Sequence, residues 1–133
     1  MKRKIFVCVV IAMMLTCSVC AAYASPMQPF ANNYTSAKAG LSITNGTAMA
    51  TGKLYGVSGT MTKATIHLYL QQYKNGTWID YADWLETSNG TNCIVSKTMS
   101  VPKGYTYRAK ASCYAYAGNK SEHVTRYSTE VKY

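Results

Sequence analysis

The chain of 133 residues has few acidic residues, few histidines and no signature of a catalytic site. Five Asp and Glu stand against 14 Lys and Arg, which gives a formal net charge of +9. No zinc-protease, P-loop, dinucleotide or serine-hydrolase motif occurs, and no nucleophile motif stands beside either histidine. These absences argue against an enzyme. A hydrophobic fraction of 48% excludes disorder, and the length excludes two ordinary domains.

Long apolar runs are also missing, apart from one at the N-terminus that has the parts of a secretory signal peptide. A basic start, KRK, precedes an apolar segment over residues 5–19 and an A-x-A site that ends at Ala24. We therefore expect cleavage between Ala24 and Ser25, which removes residues 1–24 and secretes the mature chain, as in Gram-positive export. The alternatives are an uncleaved anchor or lipid attachment at Cys20. The membrane is then a partner only before cleavage.

Cysteine is scarce, because only Cys93 and Cys113 lie outside that leader. Two cysteines in an exported chain suggest one disulfide. The strands predicted to hold them flank Pro102–Gly104. If Val101 lies opposite Tyr105, the two cysteines lie at the same level, whether the strands pair directly or face each other across two sheets. We expect a disulfide, and the alternative is a pair of small buried hydrophobic residues.

What the chain does have is alternation of polar and apolar residues with period two, which is typical of β-strands. The alternation begins after residues 25–33, which we expect to be a flexible lead-in containing proline. Asn-Gly pairs mark turns, because Asn-Gly tolerates the positive φ of type I′ hairpins. These pairs are Asn45-Gly46, Asn75-Gly76 and Asn89-Gly90. Seven strands are predicted, at about residues 34–43, 47–55, 64–73, 77–85, 91–101, 105–117 and 122–132.

Residues 101–111, VPKGYTYRAKA, resemble the segment that leads into strand F of fibronectin type III and other immunoglobulin-like domains. The shared pattern is a proline, a glycine and then a tyrosine followed by alternating small residues. The resemblance implies that residues 34–133 form one all-β domain, an immunoglobulin-like antiparallel β-sandwich of about seven strands. It also implies that Tyr107 is a tyrosine corner, whose hydroxyl bonds to nearby backbone.

The mature chain also looks like a family of small secreted proteins of Gram-positive bacteria to which no function has been assigned. The likeness rests on the signal peptide, the short mature chain, strands rich in Thr, Ser, Tyr and Lys, and residues 97–108, KTMSVPKGYTYR. It implies secretion and no particular activity.

Tyrosine is the residue in excess, and aromatic residues concentrate on the hairpin that turns at Asn75-Gly76. Pairing about that turn sets Tyr73 opposite Trp78 and Tyr69 opposite Ala82. Aromatic rings beside polar groups suit sugar stacking or protein recognition. The alternative is that the rings form cross-strand pairs that stabilise an exposed sheet. The predicted binding face consists of His67, Tyr69, Gln71, Tyr73, Trp78 and Tyr81.

Carboxylates and histidines give little sign of a metal or catalytic site. Asp80 and Asp83 are three positions apart on one strand, so we expect them to point to opposite faces. That spacing argues against a calcium site and against the paired carboxylates of a glycoside hydrolase. His67 and His123 would form a metal or pH-sensing site only on adjacent strands. We expect no metal and no cofactor.

The mature charge of +6 is spread along the strands and suits attraction to polyanions. We expect a secreted, monomeric, non-catalytic binding module for a cell-wall polyanion, a glycan or a host protein, with no nucleic-acid partner. Two alternatives belong to other classes. One is a cationic antimicrobial or toxin-like protein acting on anionic envelopes, and the other is a degenerate hydrolase that uses Asp80 and Asp83.

Overall fold

A computed structural model describes residues 33–133. The predicted signal peptide, its cleavage site between Ala24 and Ser25, and the lead-in up to residue 32 lie outside the described residues. Asn33, the last residue of that lead-in, is buried, and its side-chain amide donates to the carbonyl oxygen of Ala115 at 3.3 Å. Over residues 33–133 no helix is long and apolar enough to cross a membrane.

The described chain forms two antiparallel sheets that pack face to face. The strands are β1 (Tyr34–Thr44), β2 (Thr47–Gly56), β3 (Lys63–Lys74), β4 (Thr77–Ser88), β5 (Asn92–Ser100), β6 (Thr106–Ala117), β7 (Lys120–Tyr127) and β8 (Val131–Lys132). The smaller sheet has the order β1-β2-β5, and the larger has the order β4-β3-β6-β7, with β8 also paired to β6. The predicted fold class, an immunoglobulin-like antiparallel β-sandwich, is confirmed.

Two of the three Asn-Gly pairs form the hairpin turns that the sequence predicts. Asn45 and Asn75 have φ of 49° and 52°, and the glycines that follow them have φ of 78° and 79°. These values are those of type I′ turns, whose twist matches the flanking strands. Asn89-Gly90 differs, because neither residue has positive φ and the segment carries the chain from β4 in one sheet to β5 in the other.

The final predicted strand is interrupted. β7 ends at Tyr127, and Ser128 then bonds twice to Ala109, through its backbone N–H (2.9 Å) and through its hydroxyl oxygen (2.8 Å). The chain returns to β6 as β8, where Val131 lies opposite Tyr107. The break makes eight strands of the seven predicted, and it places Glu130 at the border of the larger sheet.

Where β2 faces β6, the core between the sheets is lined on both sides by small residues. The inward positions of β6 include Ala109, Ala111 and Ala115, all fully buried. Opposite them, β2 offers alanines and Gly52. A Cβ added at Gly52 would lie 3.0 Å from Cγ2 of Ile66 and 3.5 Å from Cβ of Ala111. The sheets therefore touch at this point, and the core has no room there for another methyl group.

A β-bulge in β4 changes the predicted register. Leu70 pairs with Ala82 but Gln71 pairs with Asp80, so Tyr81 is an extra, unpaired residue. A bulge of this kind shifts the alternation of the strand beyond it by one position. As a result, Tyr69 lies opposite Asp83 and not opposite Ala82 as predicted.

Tyr107 connects the core to the loop before β6. Its side chain is fully buried, and its hydroxyl donates to the carbonyl oxygen of Pro102 at 2.7 Å. The same hydroxyl accepts a hydrogen bond of 3.0 Å from the amide of Gln72, which is 4% exposed. Burial raises the pKa of Tyr107, so the hydroxyl keeps the proton that it donates.

The structure does not bear out the expected disulfide, because Cys93 and Cys113 are both free thiols. They lie on strands of different sheets, β5 and β6, so they face each other across the core. The thiol of Cys93 is directed to the backbone oxygen of Glu86 at 3.9 Å. A register that sets two residues at the same level along their strands does not by itself give the sulfur atoms the distance and dihedral angle that a disulfide needs.

We expect Tyr107→Phe to lower the free energy of unfolding by about 1–3 kcal/mol, because it leaves Pro102 and Gln72 without their shared buried partner. Chemical denaturation followed by circular dichroism measures this change. The matched control is Tyr116→Phe, a half-buried tyrosine whose hydroxyl has no partner within residues 33–133. Equal unfolding midpoints for the two variants would contradict the role given to the Tyr107 hydroxyl.

We expect neither thiol to react in the folded protein and both to react once it is unfolded, with no reductant needed. Burial raises the pKa of Cys93, and burial together with the neighbouring Cys93 raises the pKa of Cys113 to about 11. The reactive thiolate is therefore scarce at neutral pH. Alkylation with iodoacetamide followed by peptide mapping measures both sites. A Cys93–Cys113 cross-linked peptide in the unreduced digest would refute the account.

Candidate functional site

The larger sheet has one face against the core and one face away from it, and we call the second the outer face. Strands β3 and β6 lie at its centre and β4 and β7 at its sides. Aromatic, cationic and amide side chains concentrate there. The outer face includes Trp78, Asp80 and Asp83 on β4; His67, Tyr69, Gln71 and Tyr73 on β3; Thr106, Arg108, Lys110, Ser112 and Tyr114 on β6; and His123 and Tyr127 on β7.

Arg108 lies between two aromatic rings on this face. Its Cζ is 4.2 Å from the centroid of the Trp78 ring and 4.3 Å from the centroid of the Tyr127 ring. Both distances are well within the range of cation–π contacts. The two rings come from β4 and β7, the strands at opposite sides of the sheet, so Arg108 bridges the face from its central strand.

A buried glutamine, Gln71, holds the guanidinium of Arg108 through a hydrogen bond. Nε of Arg108 donates to Oε1 of Gln71 at 2.8 Å, and Nε2 of Gln71 donates to Oδ1 of Asp80 at 2.8 Å. Gln71 belongs to the outer face and is nevertheless only 6% exposed. Because its acceptor and its donor are both used, the amide has one orientation, and Arg108 is held in place by it.

A second chain of hydrogen bonds lies beside the first. Nε2 of His67 is 2.6 Å from a carboxylate oxygen of Asp83, and Nδ1 of His67 is 2.7 Å from the hydroxyl of Tyr69. When Nε2–H donates to Asp83, Nδ1 of the neutral ring accepts the Tyr69 proton. Burial, followed by the carboxylates of Asp80 and Asp83, raises the pKa of Tyr69. The ammonium group of Lys110 lies 5.0 Å from the same ring.

The carboxylates of β4 lie where the sequence interpretation did not place them. Asp80 and Asp83 were expected on opposite faces, and that expectation is wrong because the bulge at Tyr81 brings both to the outer face. Each is bound to a neighbour on β3, Asp80 to Gln71 and Asp83 to His67. Their oxygens therefore orient other side chains of the face.

The two histidines do not meet, because β6 lies between their strands. His123 stacks on Tyr114, with ring centroids 4.4 Å apart, and its Nε2 lies 2.7 Å from the hydroxyl of Ser112. Within residues 33–133 no group of three or more His, Cys, Asp or Glu could hold a metal ion. Ser112 lies on β6, which pairs with β3 on one side and with β7 on the other, so the backbone N–H groups of β6 are used in the sheet. Recognition by the outer face therefore depends on side chains.

A cleft opens at one end of the outer face, beside Arg108. Its aromatic lining is the contacting pair Tyr73 and Trp78, whose ring centroids are 5.2 Å apart, and its polar lining is Thr106 and Glu130. Tyr73 is 44% exposed and Trp78 is half-buried. Two other surface depressions, one around Lys38 and Lys53 and one around Asn33 and Lys120, have no aromatic lining.

Five of the six residues of the predicted binding face lie on the outer face, namely His67, Tyr69, Gln71, Tyr73 and Trp78. Tyr81 does not. Its ring packs against the inner cluster, 6.2 Å from the ring of Tyr107 and edge-on to it. The bulge directs it inward, where it packs against the core and is partly buried.

Sequence reasoning missed several residues of this surface, and the reasons differ. Arg108 alternates with the buried alanines of β6, so the sequence predicts that it faces away from the core. Its contacts with Tyr127 and Trp78 depend on the order of the strands in the sheet, which the sequence does not give. Thr106 and Glu130 reach the cleft through β6 and through the break after β7. Strand order and that break depend on tertiary packing. Comparisons with models of protein families, with curated proteins and with solved structures found no match.

We expect Gln71→Leu to release Arg108 and to cost about 1 kcal/mol of stability, because it removes both hydrogen bonds of the buried amide. Nitrogen-15 NMR of the arginine Nε–H groups tests this. The Arg108 signal should be slow to exchange with water in the unchanged protein and fast in the variant. Thr87→Val, which removes the 3.2 Å hydrogen bond to Thr65 on the same sheet, is the control. An unaltered Arg108 signal in Gln71→Leu would contradict the tether.

Proposed function

We propose that the protein is an exported, non-catalytic binding module that holds a glycan in the cleft of the outer face. The observation that carries the proposal is the cleft itself, in which Tyr73 and Trp78 together supply an aromatic surface and Thr106 and Glu130 supply oxygen atoms. The signal peptide predicted at the N-terminus supports export. A cell-wall or host glycan is then the ligand within reach.

The chemistry of the cleft suits a sugar ring. Sugars present apolar C–H faces that pack on aromatic rings, and their hydroxyl groups need hydrogen-bond partners at the edges. Tyr73 and Trp78 offer ring surface, and Glu130 accepts hydrogen bonds from hydroxyl groups while Thr106 both donates and accepts. The rings come from adjacent strands joined by a tight hairpin and contact each other, so the aromatic surface that they present is formed before any ligand arrives.

The position of the cleft suits a chain of sugars better than a single enclosed molecule. It lies at one end of an open sheet face that continues with polar and aromatic side chains towards Tyr114 and His123. A ligand that extends along β6 meets Lys110 and Ser112 on its way. A polymer can use several weak contacts of this kind at once, which raises the affinity without a deep pocket.

We expect Trp78→Ala to weaken retention on an insoluble glycan by about tenfold or more, since truncating a central aromatic contact removes much of the binding free energy. A glycan array followed by a pull-down on peptidoglycan and on polysaccharides measures it. The matched control is Trp84→Phe, because Trp84 packs against the core and lies on the inner face. Binding should quench tryptophan fluorescence in Trp84→Phe.

Two results would count against the proposal. Retention on no polysaccharide and no cell wall would remove the ligand class, and equal retention of Trp78→Ala and Trp84→Phe would remove the cleft. Leakage of anionic lipid vesicles at low salt, with no glycan binding, would favour the antimicrobial alternative, whose driving force is the net positive charge.

A further inference from the structure

The charge of Arg108 has no partner of opposite sign in the described part of the chain. Within residues 33–133 the ion pair is the one between His67 on β3 and Asp83 on β4, and it does not include Arg108. Within the same residues, the guanidinium donates a single hydrogen bond, from Nε to Gln71. Its two Nη groups are therefore available for another acceptor.

The environment of Arg108 also restrains the position of its guanidinium. Trp78 and Tyr127 pack against it at 4.2 and 4.3 Å, and Gln71 holds its Nε. A side chain as long as arginine ordinarily loses much conformational freedom when it binds a ligand. Here most of that loss has already occurred on folding, because rings and amide restrain the group before any ligand arrives.

A planar fork of N–H donors matches an oxyanion, such as a carboxylate or a phosphate, through two parallel hydrogen bonds. Trp78 belongs both to the stack around Arg108 and to the wall of the glycan cleft, so the two sites share a side chain. Glu130 is at the border of the cleft, where its negative charge disfavours an anion beside it. The acidic group of a ligand in the cleft is therefore directed towards Arg108.

We propose that Arg108 is an oxyanion-recognition site and that the glycan bound in the adjacent cleft is an acidic one, carrying a carboxylate or a phosphate group. This inference rests on the proposed glycan binding. It adds the chemical class of the ligand and names the residue that discriminates acidic from neutral sugars. The net positive charge of the domain assists approach of such a ligand, and Arg108 supplies the specific contact.

The test compares glycans that differ only in charge. The carboxylate arm uses an oligogalacturonide and its methyl ester, and the phosphate arm uses a phosphomannan and the corresponding neutral mannan. We expect the acidic member of at least one pair to bind about tenfold tighter than its neutral partner, because hydrogen bonds to a charged group are strong ones. The arm that shows the difference identifies the group. Titration calorimetry measures the affinities.

Arg108→Lys keeps the charge but lacks the planar fork, so we expect it to remove most of the preference while neutral glycans bind as before. Arg126→Lys is the matched control, since Arg126 is exposed and its Nη1 bonds the backbone oxygen of Thr125. Thermal unfolding of both variants shows whether the fold is kept.

The outcomes separate this inference from the function on which it rests. Equal binding of acidic and neutral members, or an equal loss of both in Arg108→Lys, would overturn the role of Arg108 and leave glycan binding standing. Binding of neither member in either arm, by a protein that is also retained on no polysaccharide and no cell wall, would overturn the proposed function together with the inference. A preference for the acidic member that Arg108→Lys abolishes and Arg126→Lys preserves supports both.

Discussion

One unpaired residue in β4, Tyr81, sets the side-chain arrangement on both sides of the larger sheet. Because β3 has no residue to match it, the alternation of β4 changes phase there, and Asp80 and Asp83 point the same way. The ring of Tyr81 itself turns inward against Tyr107. Outer-face carboxylates and inner-face aromatic packing are thus two results of the same irregularity. Bulges commonly re-aim side chains at functional surfaces in this manner.

Two consecutive cross-strand pairs join the inner and outer faces. Gln72 lies opposite Tyr107 and holds its hydroxyl inside the core, while Gln71 lies opposite Arg108 and holds its guanidinium outside. Both glutamines are almost fully buried. The residue that anchors the loop before β6 and the residue that we assign to ligand recognition are therefore neighbours on one strand. The hydrogen bonds of these two buried amides restrain Tyr107 on the inner face and Arg108 on the outer face.

Much of the fold was predictable from the sequence because its determinants are local. Alternation located the strands, and Asn45-Gly46 and Asn75-Gly76 located two hairpins through the φ values that such pairs accept. What failed depended on tertiary geometry. The predicted register placed Cys93 and Cys113 at the same level along their strands, but it carried no information on whether their sulfur atoms bond. The bulge at Tyr81 and the break after β7 arise from packing of neighbouring strands. The sequence alone therefore could not predict which face Asp83 lies on or where the cleft is.

The small residues that line the core also bear on how stability varies with temperature. Where Ala109, Ala111 and Gly52 meet, the sheets touch through methyl groups and backbone. Unfolding such an interior exposes less apolar surface per residue than unfolding one filled with leucine and phenylalanine. The heat capacity of unfolding scales with that surface, so this contact contributes less to it than the part of the core that holds Leu54, Leu68 and Leu70. Warming or cooling therefore changes the contribution of this alanine–glycine contact to stability less than it changes the contribution of the larger buried side chains.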